Sequence, residues 1–485
     1  MKKIFALLTA MCLTISMFAG CEAIKNLPGE SAAPSGPVLP TPSGELKLPE
    51  ASPLPSEEGG ETASTLATSG KPCNSSGNIQ SGGFVVQDGS KLFYVKNSAI
   101  WSKNGDKPAQ KIYSGVSRKA NQTANGTAAT VKSLNFWNGR LYFVAETGKT
   151  SAYTGSGFGD PLIYECVYSC APDGSGLKQE LAEAPTGGSL YVETSAGNTA
   201  TFDFNSAYCS AYSGFTIIDG YMYFIGSSKT AVPSSYLSSP AAAASSIPPV
   251  KVSYSRPLQL IRHKIGGNSD EIIVADLGNR PTYFSTDGSK LCYAIALFNP
   301  IYSAYDHVAI FTCSLDGKNQ NCIFGAPPDM PTMDEFTTER TGGTAIIQGM
   351  QLVGDKVFLS LRDSEGDFPD GTLDGISATK YNQSFTELLV EGARVKALVT
   401  DNSCYYFTLN RNENSLLSNI SLVSLGFGSA NETSLVNPSP AGGEIYYLTY
   451  EINVCGNSVF CRDRFAPGGE TLFAVNTDGS NFRQF

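Results

Sequence analysis

The chain has 485 residues, 16% of them charged and 41% apolar, with 23 tyrosines, 26 phenylalanines, 49 glycines and 27 prolines. That composition excludes a coiled coil, an acidic disordered tail and a collagen-like chain, and it leaves enough apolar surface for a globular core. A formal net charge of −10, with no basic run longer than Lys2-Lys3, argues against general DNA or RNA binding, which rests on lysine and arginine displacing counterions.

Residues 1–20 read as a secretory leader, with Lys2 and Lys3 as the positive start and Ile4 to Phe18 as an apolar stretch too short to span a bilayer. The sequence Phe18-Ala19-Gly20-Cys21 resembles the bacterial lipobox, with Phe18 where leucine is usual. The resemblance implies a lipoprotein whose mature first residue is a lipidated Cys21; the alternative is a plain secreted protein in which Cys21 is a spare thiol. Each buried acyl CH₂ contributes roughly 0.8 kcal/mol, so two or three chains hold a protein on a membrane without a transmembrane helix. The expected location is the extracytoplasmic face of the cell membrane. Residues 21–78 follow as a tether: Glu22 to Asn78 holds nine prolines, nine serines and no aromatic residue, and as a coil it spans about 40 Å.

From residue 79 to 485 one pattern recurs: a polar turn, often Asn-Gly or Asp-Gly, leads into a short strand of aromatic and β-branched residues. Gly89 to Val95, Asn138 to Val144 and Asp219 to Ile225 show it most clearly, and the aligned anchors are Phe93, Tyr142, Tyr223, Cys292, Phe358, Tyr405 and Tyr446. Further strands, such as Val167 to Cys170 before Pro172-Asp173-Gly174-Ser175 and Leu472 to Asn476 before Thr477-Asp478-Gly479-Ser480, bring each unit to four. Seven four-stranded units at this period predict an all-β fold, a single β-propeller of seven blades behind a disordered tether. A pair of β-sandwiches, whose strands also recur, is the rival. The repeats "LFAVNTDGSNFRQF" and "YFSTDGSKLCYAI" resemble a domain of unknown function related to lipoprotein-receptor propellers of bacterial surface proteins and, more distantly, the propeller repeats of TolB. The resemblance implies the fold and carries no catalytic or binding residue with it.

In an up-and-down blade the first and third connections lie on one face, while the second and the link to the next blade lie on the other. Connections of the second kind are expected to be long: 147–161, 182–214, 226–257, 362–375 and 451–469. Long loops on a rigid scaffold are where binding residues usually sit. They carry Tyr153, Phe158, Tyr191, Phe202, Phe204, Tyr208, Tyr236 and Tyr302, which either stack on a ligand or pack the loops down.

Recognisable catalytic chemistry is scarce. His263 and His307 are the two histidines, and no Gly-x-Ser-x-Gly elbow, His-Glu-x-x-His, phosphate loop or dinucleotide fingerprint occurs. Carboxylate pairs assembled in space leave no local signature, so a glycosidase or lyase stays open. Asp363, Glu365, Asp367, Asp370 and Asp374 partly match a calcium loop, but Phe368 stands where its glycine belongs and Asp374 where a bidentate glutamate does; calcium or a solvated acidic loop both fit. No other cofactor is implied. Outside the leader and Cys21 ten cysteines remain, an even number that permits disulfides in an extracytoplasmic protein. Depending on register, Cys292 or Cys322 faces Cys313, and Cys455 and Cys461 are placed to close one long loop. The expected partners are the membrane, through the anchor, and an envelope glycan or protein, with no nucleic acid. The function this supports is a non-enzymatic binding module, against a propeller glycosidase or lyase and a TolB-like structural subunit of an envelope complex.

Overall fold

The computed structural model describes residues 74–116, 131–151, 162–185, 188–194, 199–204, 212–227, 234–236, 250–254, 258–274, 277, 283–299, 304–324, 345–363, 371–381, 387–391, 397–410, 419–427, 431–436, 450–464 and 469–485. A five-residue helix α1 (Ser76–Gln80) precedes a series of antiparallel meanders. Blade 1 is β1 (Val85–Asp88), β2 (Lys91–Lys96), β3 (Ala99–Asn104) and β4 (Gln110–Ser114); blade 2 is β5 (Val131–Trp137), β6 (Arg140–Ser151), β7 (Leu162–Cys170) and β8 (Lys178–Gln179), with β9 (Ala184–Pro185) also paired to β7. The hairpin β10 (Gly188–Thr194) and β11 (Thr199–Phe204) belongs to no blade. Blade 3, formed by β12 (Tyr212–Ile218), β13 (Tyr221–Ser227), β16 (Leu258–Lys264) and β17 (Asp270–Val274), is interrupted by β14 (Ser234–Tyr236) and β15 (Val250–Tyr254).

Blade 4 is β18 (Phe284–Thr286), β19 (Lys290–Asn299), β20 (Ala304–Ser314) and β21 (Asn321–Phe324), and blade 5 is β22 (Ala345–Val353), β23 (Lys356–Asp363), β24 (Gly371–Ser377) and β25 (Glu387–Glu391). Blade 6 is β26 (Leu398–Val399), β27 (Ser403–Asn410), β28 (Asn419–Gly426) and β29 (Glu432–Val436), and blade 7 is β30 (Tyr450–Cys455), β31 (Ser458–Asp463), β32 (Thr471–Asn476) and β33 (Arg483–Gln484).

The blades form a closed ring, a seven-bladed β-propeller, because alternate side chains of each strand serve opposite neighbours. Tyr142 and Val144 of blade 2 pack with Phe215, Met222 and Phe224 of blade 3, whereas Leu141 and Phe143 turn to Phe93 and Ile100 of blade 1. Phe460, Leu472 and Ala474 of blade 7 join that same core, so the ring closes between blades 7 and 1. Burying one such ring contributes about 1.5–3 kcal/mol.

Six of the seven sequence anchors are equivalent in register. Phe93, Tyr142, Tyr223, Cys292, Phe358 and Tyr405 face Val86, Asn135, Thr216, Ser285, Gln351 and Leu398 of their inner strands. In blade 7 the equivalent pair is Asn453 and Phe460; Tyr446 lies outside the described residues. The stretch 451–469, expected as a loop, instead holds β30 and β31, joined at Gly456, whose φ of +57° suits a tight turn. Charged Glu451, Arg462 and Asp463 hid these strands; Arg462 is 1% exposed, its Nε donates to Glu451 Oε2 at 2.6 Å, and its guanidinium lies 4.5 Å from the Phe84 ring.

The expected disulfides are absent, because the register separates the sulfurs. Cys292 faces Thr312 and Cys313 faces Leu291, one residue off the assumed pairing, which sends the two thiols to different cores. Cys322 faces Phe311, and Cys455 and Cys461 stand on paired strands opposite Ser458 and Ile452. All eight described cysteines are free, and burial pushes the Cys313 and Cys404 thiols up to about 12.

Candidate functional site

A propeller offers three places for a ligand: the axis, and the two ends. The axis is filled by the chain itself. Ser75 caps α1 by accepting from the Asn78 amide, and α1 lies among the inner strands β5, β12, β18, β22, β26 and β30. Asn74 to Asn78, read from the sequence as the end of the tether, thus sit in this axial segment.

Polar side chains hold the segment by mimicking a strand partner. Asn78 gives Nδ2 to the Val454 carbonyl and takes the Val454 amide on Oδ1, both at 2.8 Å. Gln80 does the same with Met350 and also donates to the Phe284 carbonyl at 2.9 Å. Ser76 accepts the Thr286 amide at 2.8 Å, and Asn74 donates to the Leu134 carbonyl at 2.8 Å. Inner strands have one free edge, and these bonds satisfy backbone groups that would otherwise be buried without partners. At Gly77 an added Cβ would stand 2.3 Å from Gln351 Oε1, so a larger residue at this level of the axis would force the Gln351 side chain to shift.

A second set of polar side chains stitches neighbouring blades. Asn135 of blade 2 donates to the Phe215 carbonyl of blade 3 at 2.9 Å, and Ser285 of blade 4 accepts the Leu352 amide of blade 5 at 2.7 Å. Gln351 of blade 5 donates to the Ala397 carbonyl at 2.7 Å and accepts the Val399 amide of blade 6 at 2.8 Å. Asn453 of blade 7 accepts the Phe84 and Val85 amides at 2.7 and 3.2 Å and closes the ring onto blade 1. All four are buried and lie at one register level. The signal in the sequence is a polar residue three or four positions before the turn glycine, as at Asn135-Gly139 and Asn453-Gly456, and it passed unread.

The two ends differ. At one end the turns are tight, and the recurrent Asp-Gly-Ser or Asp-Gly-Lys is a turn device: Asp173 and Asp478 accept the Ser175 and Ser480 amides at 2.9 Å, with Gly174 and Gly479 at φ +86° and +83°. These aspartates are structural. At the other end the long connections build an additional four-stranded sheet in the order β11-β10-β15-β14. Leu190 faces Phe202 and Tyr254, and Val192 faces Val252, which faces Tyr236. By this register Phe202, Phe204 and Tyr236 fall on one face of the sheet, and Tyr191 falls on the other with Thr201 and Ser253. Tyr153, Phe158, Tyr208 and Tyr302 lie outside the described residues.

Of the acidic cluster, Glu365, Asp367 and Asp370 lie outside the described residues. Asp363 ends β23, while Asp374 stands within β24 opposite Leu359, 1% exposed, so the twelve-residue spacing is a hairpin rather than one loop. Among the described residues no group of three or more His, Cys, Asp or Glu is placed to hold a metal ion. His263 Nδ1 meets Asp270 Oδ1 at 2.9 Å across β16 and β17, a partly buried pair within one blade. Glu146 and Glu165 face each other across β6 and β7, with Lys132 Nζ 2.8 Å from Glu165. No helix of the described residues is long and apolar enough to cross a membrane.

No family model matches the chain, and no curated protein does. Solved structures do. A polysaccharide lyase of family PL25, an ulvan lyase, is 9% identical over 85% of this chain and 96% of its own, with a TM-score of 0.47. TolB from Acinetobacter baumannii is 11% identical over 82% of this chain and 77% of its own, with a TM-score of 0.33. Dipeptidyl peptidase 4 from Porphyromonas gingivalis is 9% identical over 86% of this chain, with a TM-score of 0.38, and the chain spans 60% of its length.

Proposed function

We propose that this protein is a lipid-anchored, extracytoplasmic binding module, held to the membrane through Cys21 and presenting the long-connection end of its propeller to an envelope glycan or protein. The observation that carries this reading is the division of labour between the two ends and the axis. The axis is occupied by residues 74–83 and the tight-turn end is built from short structural turns. The extra sheet β11-β10-β15-β14 is added at the remaining end, where no blade requires it for its own pairing. A sheet built out from a ring of blades is suited to recognition.

The test uses the chain without its leader in a thermal-shift screen against peptidoglycan fragments, neutral polysaccharides and calcium, with product analysis of each carbohydrate mixture. A saturable shift without product, lost when β14 and β15 are replaced by a short glycine-serine link, is the expected result. Released product would replace the binding reading by an enzymatic one. Cys21→Ser is expected to move the full-length protein from the membrane fraction to the soluble one.

A further inference from the structure

Blade 1 reverses the charge of the chain. Residues 84–116 carry five lysines, at 91, 96, 103, 107 and 111, against Asp88 and Asp106, a net charge of +3 within a chain of −10. Three of them share one face of the blade. Leu92 faces Lys103, Tyr94 faces Trp101, Lys96 faces Ala99, and Trp101 faces Lys111, so Lys96, Lys103 and Lys111 flank Trp101 on the same side of the sheet. That side meets blade 7: the Tyr94 and Phe460 rings both pack on Phe485, with centroids 5.0 and 5.8 Å away.

The cations on this seam lie over rings rather than beside acids. Lys103 Nζ stands 5.4 Å from the Phe485 centroid, Lys111 Nζ 5.2 Å from the Trp101 ring, and Arg483 of blade 7 lies 5.9 Å from Phe460. Lys96 is the exception: its ammonium donates to a main-chain oxygen of Phe485, the last residue of the sequence. Arg483 hydrogen-bonds only to neutral oxygens, Ser458 Oγ at 2.8 Å, the Asn481 carbonyl at 3.1 Å and Asn476 Oδ1 at 3.5 Å. Among the described residues no carboxylate lies within 4 Å of the Lys103, Lys107 or Lys111 ammonium or the Arg483 guanidinium. Lys107 and Lys111 are exposed and Lys103 and Arg483 half-buried, and cations without counter-ions in a protein of opposite net charge form a local field that attracts anions.

We propose that the seam between blades 7 and 1 is a binding strip for an acidic polysaccharide. The ammoniums meet carboxylate or sulfate groups, while the half-exposed Trp101 ring and the lysine stems offer flat apolar surface to sugar C–H groups. A bilayer fits the strip less well, because its rings lie flush beneath the cations and none projects. The exposed ring nearest in sequence, Phe482, packs on Phe473, whose core faces blade 6. The proposal does not depend on the reading given for the sheet β11-β10-β15-β14.

The test measures binding of the leaderless chain to polygalacturonate, to neutral dextran and to phosphatidylglycerol vesicles at 20 and 200 mM salt. Polygalacturonate is expected to bind, more weakly at the higher salt, and dextran is not. Lys103→Gln with Lys111→Gln is expected to weaken binding at least tenfold. Lys103→Arg with Lys111→Arg keeps it, and Lys264→Gln with Lys318→Gln, which changes net charge equally elsewhere, leaves it within twofold. An equal loss in the Lys264 and Lys318 pair, no binding to polygalacturonate, or binding to vesicles alone would overturn the proposal.

Discussion

At the scale of single residues, two positions show how the axis and the turns are specified. Gly77 is enclosed by Gln351 Oε1, which cannot retreat because it also accepts the Val399 amide. Gly77→Ala gains helix propensity, worth about 1 kcal/mol, but overpacks the axis, and the net expectation is a loss of about 1–2 kcal/mol in urea unfolding. An unchanged or raised midpoint would show that the axial segment can shift. At Asp316, desolvation acts to raise the pKa, but hydrogen bonds from Ser314 and Lys318, together with the Lys318 charge, outweigh it and hold the carboxyl at about 2. An unfolded aspartate titrates near ~3.9, so this contribution is fully present above about pH 4 and is lost as pH falls toward 2. Asp316→Asn is therefore expected to melt lower than the parent at pH 7 and equally at pH 2; a constant difference in melting temperature across that range would refute the assignment.

At the scale of elements, the strands were legible in the sequence where a polar turn stood before a long apolar-aromatic run, and six of the seven anchors align in register. The first two strands of blade 7 escaped because Glu451, Arg462 and Asp463 break the apolar pattern, and only the paired strands show that Glu451 and Arg462 neutralise each other inside it. The inter-blade stitches belong to this scale as well. Asn453→Ala removes the acceptor of two buried amides, those of Phe84 and Val85, and is expected to cost about 2–4 kcal/mol. Asn135→Ala leaves the Phe215 and Ser133 carbonyls short of a donor but no amide without its acceptor, and is expected to cost less, about 1–2 kcal/mol. Equal losses in chemical denaturation would mean that Asn453 has no special part in closing the ring.

At the scale of the whole molecule, closure is achieved without sharing strands between the first and last blades. Blade 1 draws on residues 85–114 and blade 7 on residues 450–484, so the seam depends on Asn453, on the edge-to-face and tilted packing of Tyr94 and Phe460 on Phe485, and on the axial segment. The same seam carries the unpaired cations, and the opposite division, tight turns against long connections, separates structure from recognition. The sequence by itself determined the seven repeats, their turn chemistry and the asymmetry of the two ends, because these depend on local periodicity and on loop length. Tertiary structure alone decided that residues 74–83 fill the axis, that the cysteines stay apart and that the lysines of blade 1 meet the edge of blade 7. Each of those rests on register and on contacts between residues up to nearly four hundred positions apart, where a shift of a single residue changes the face on which a side chain stands.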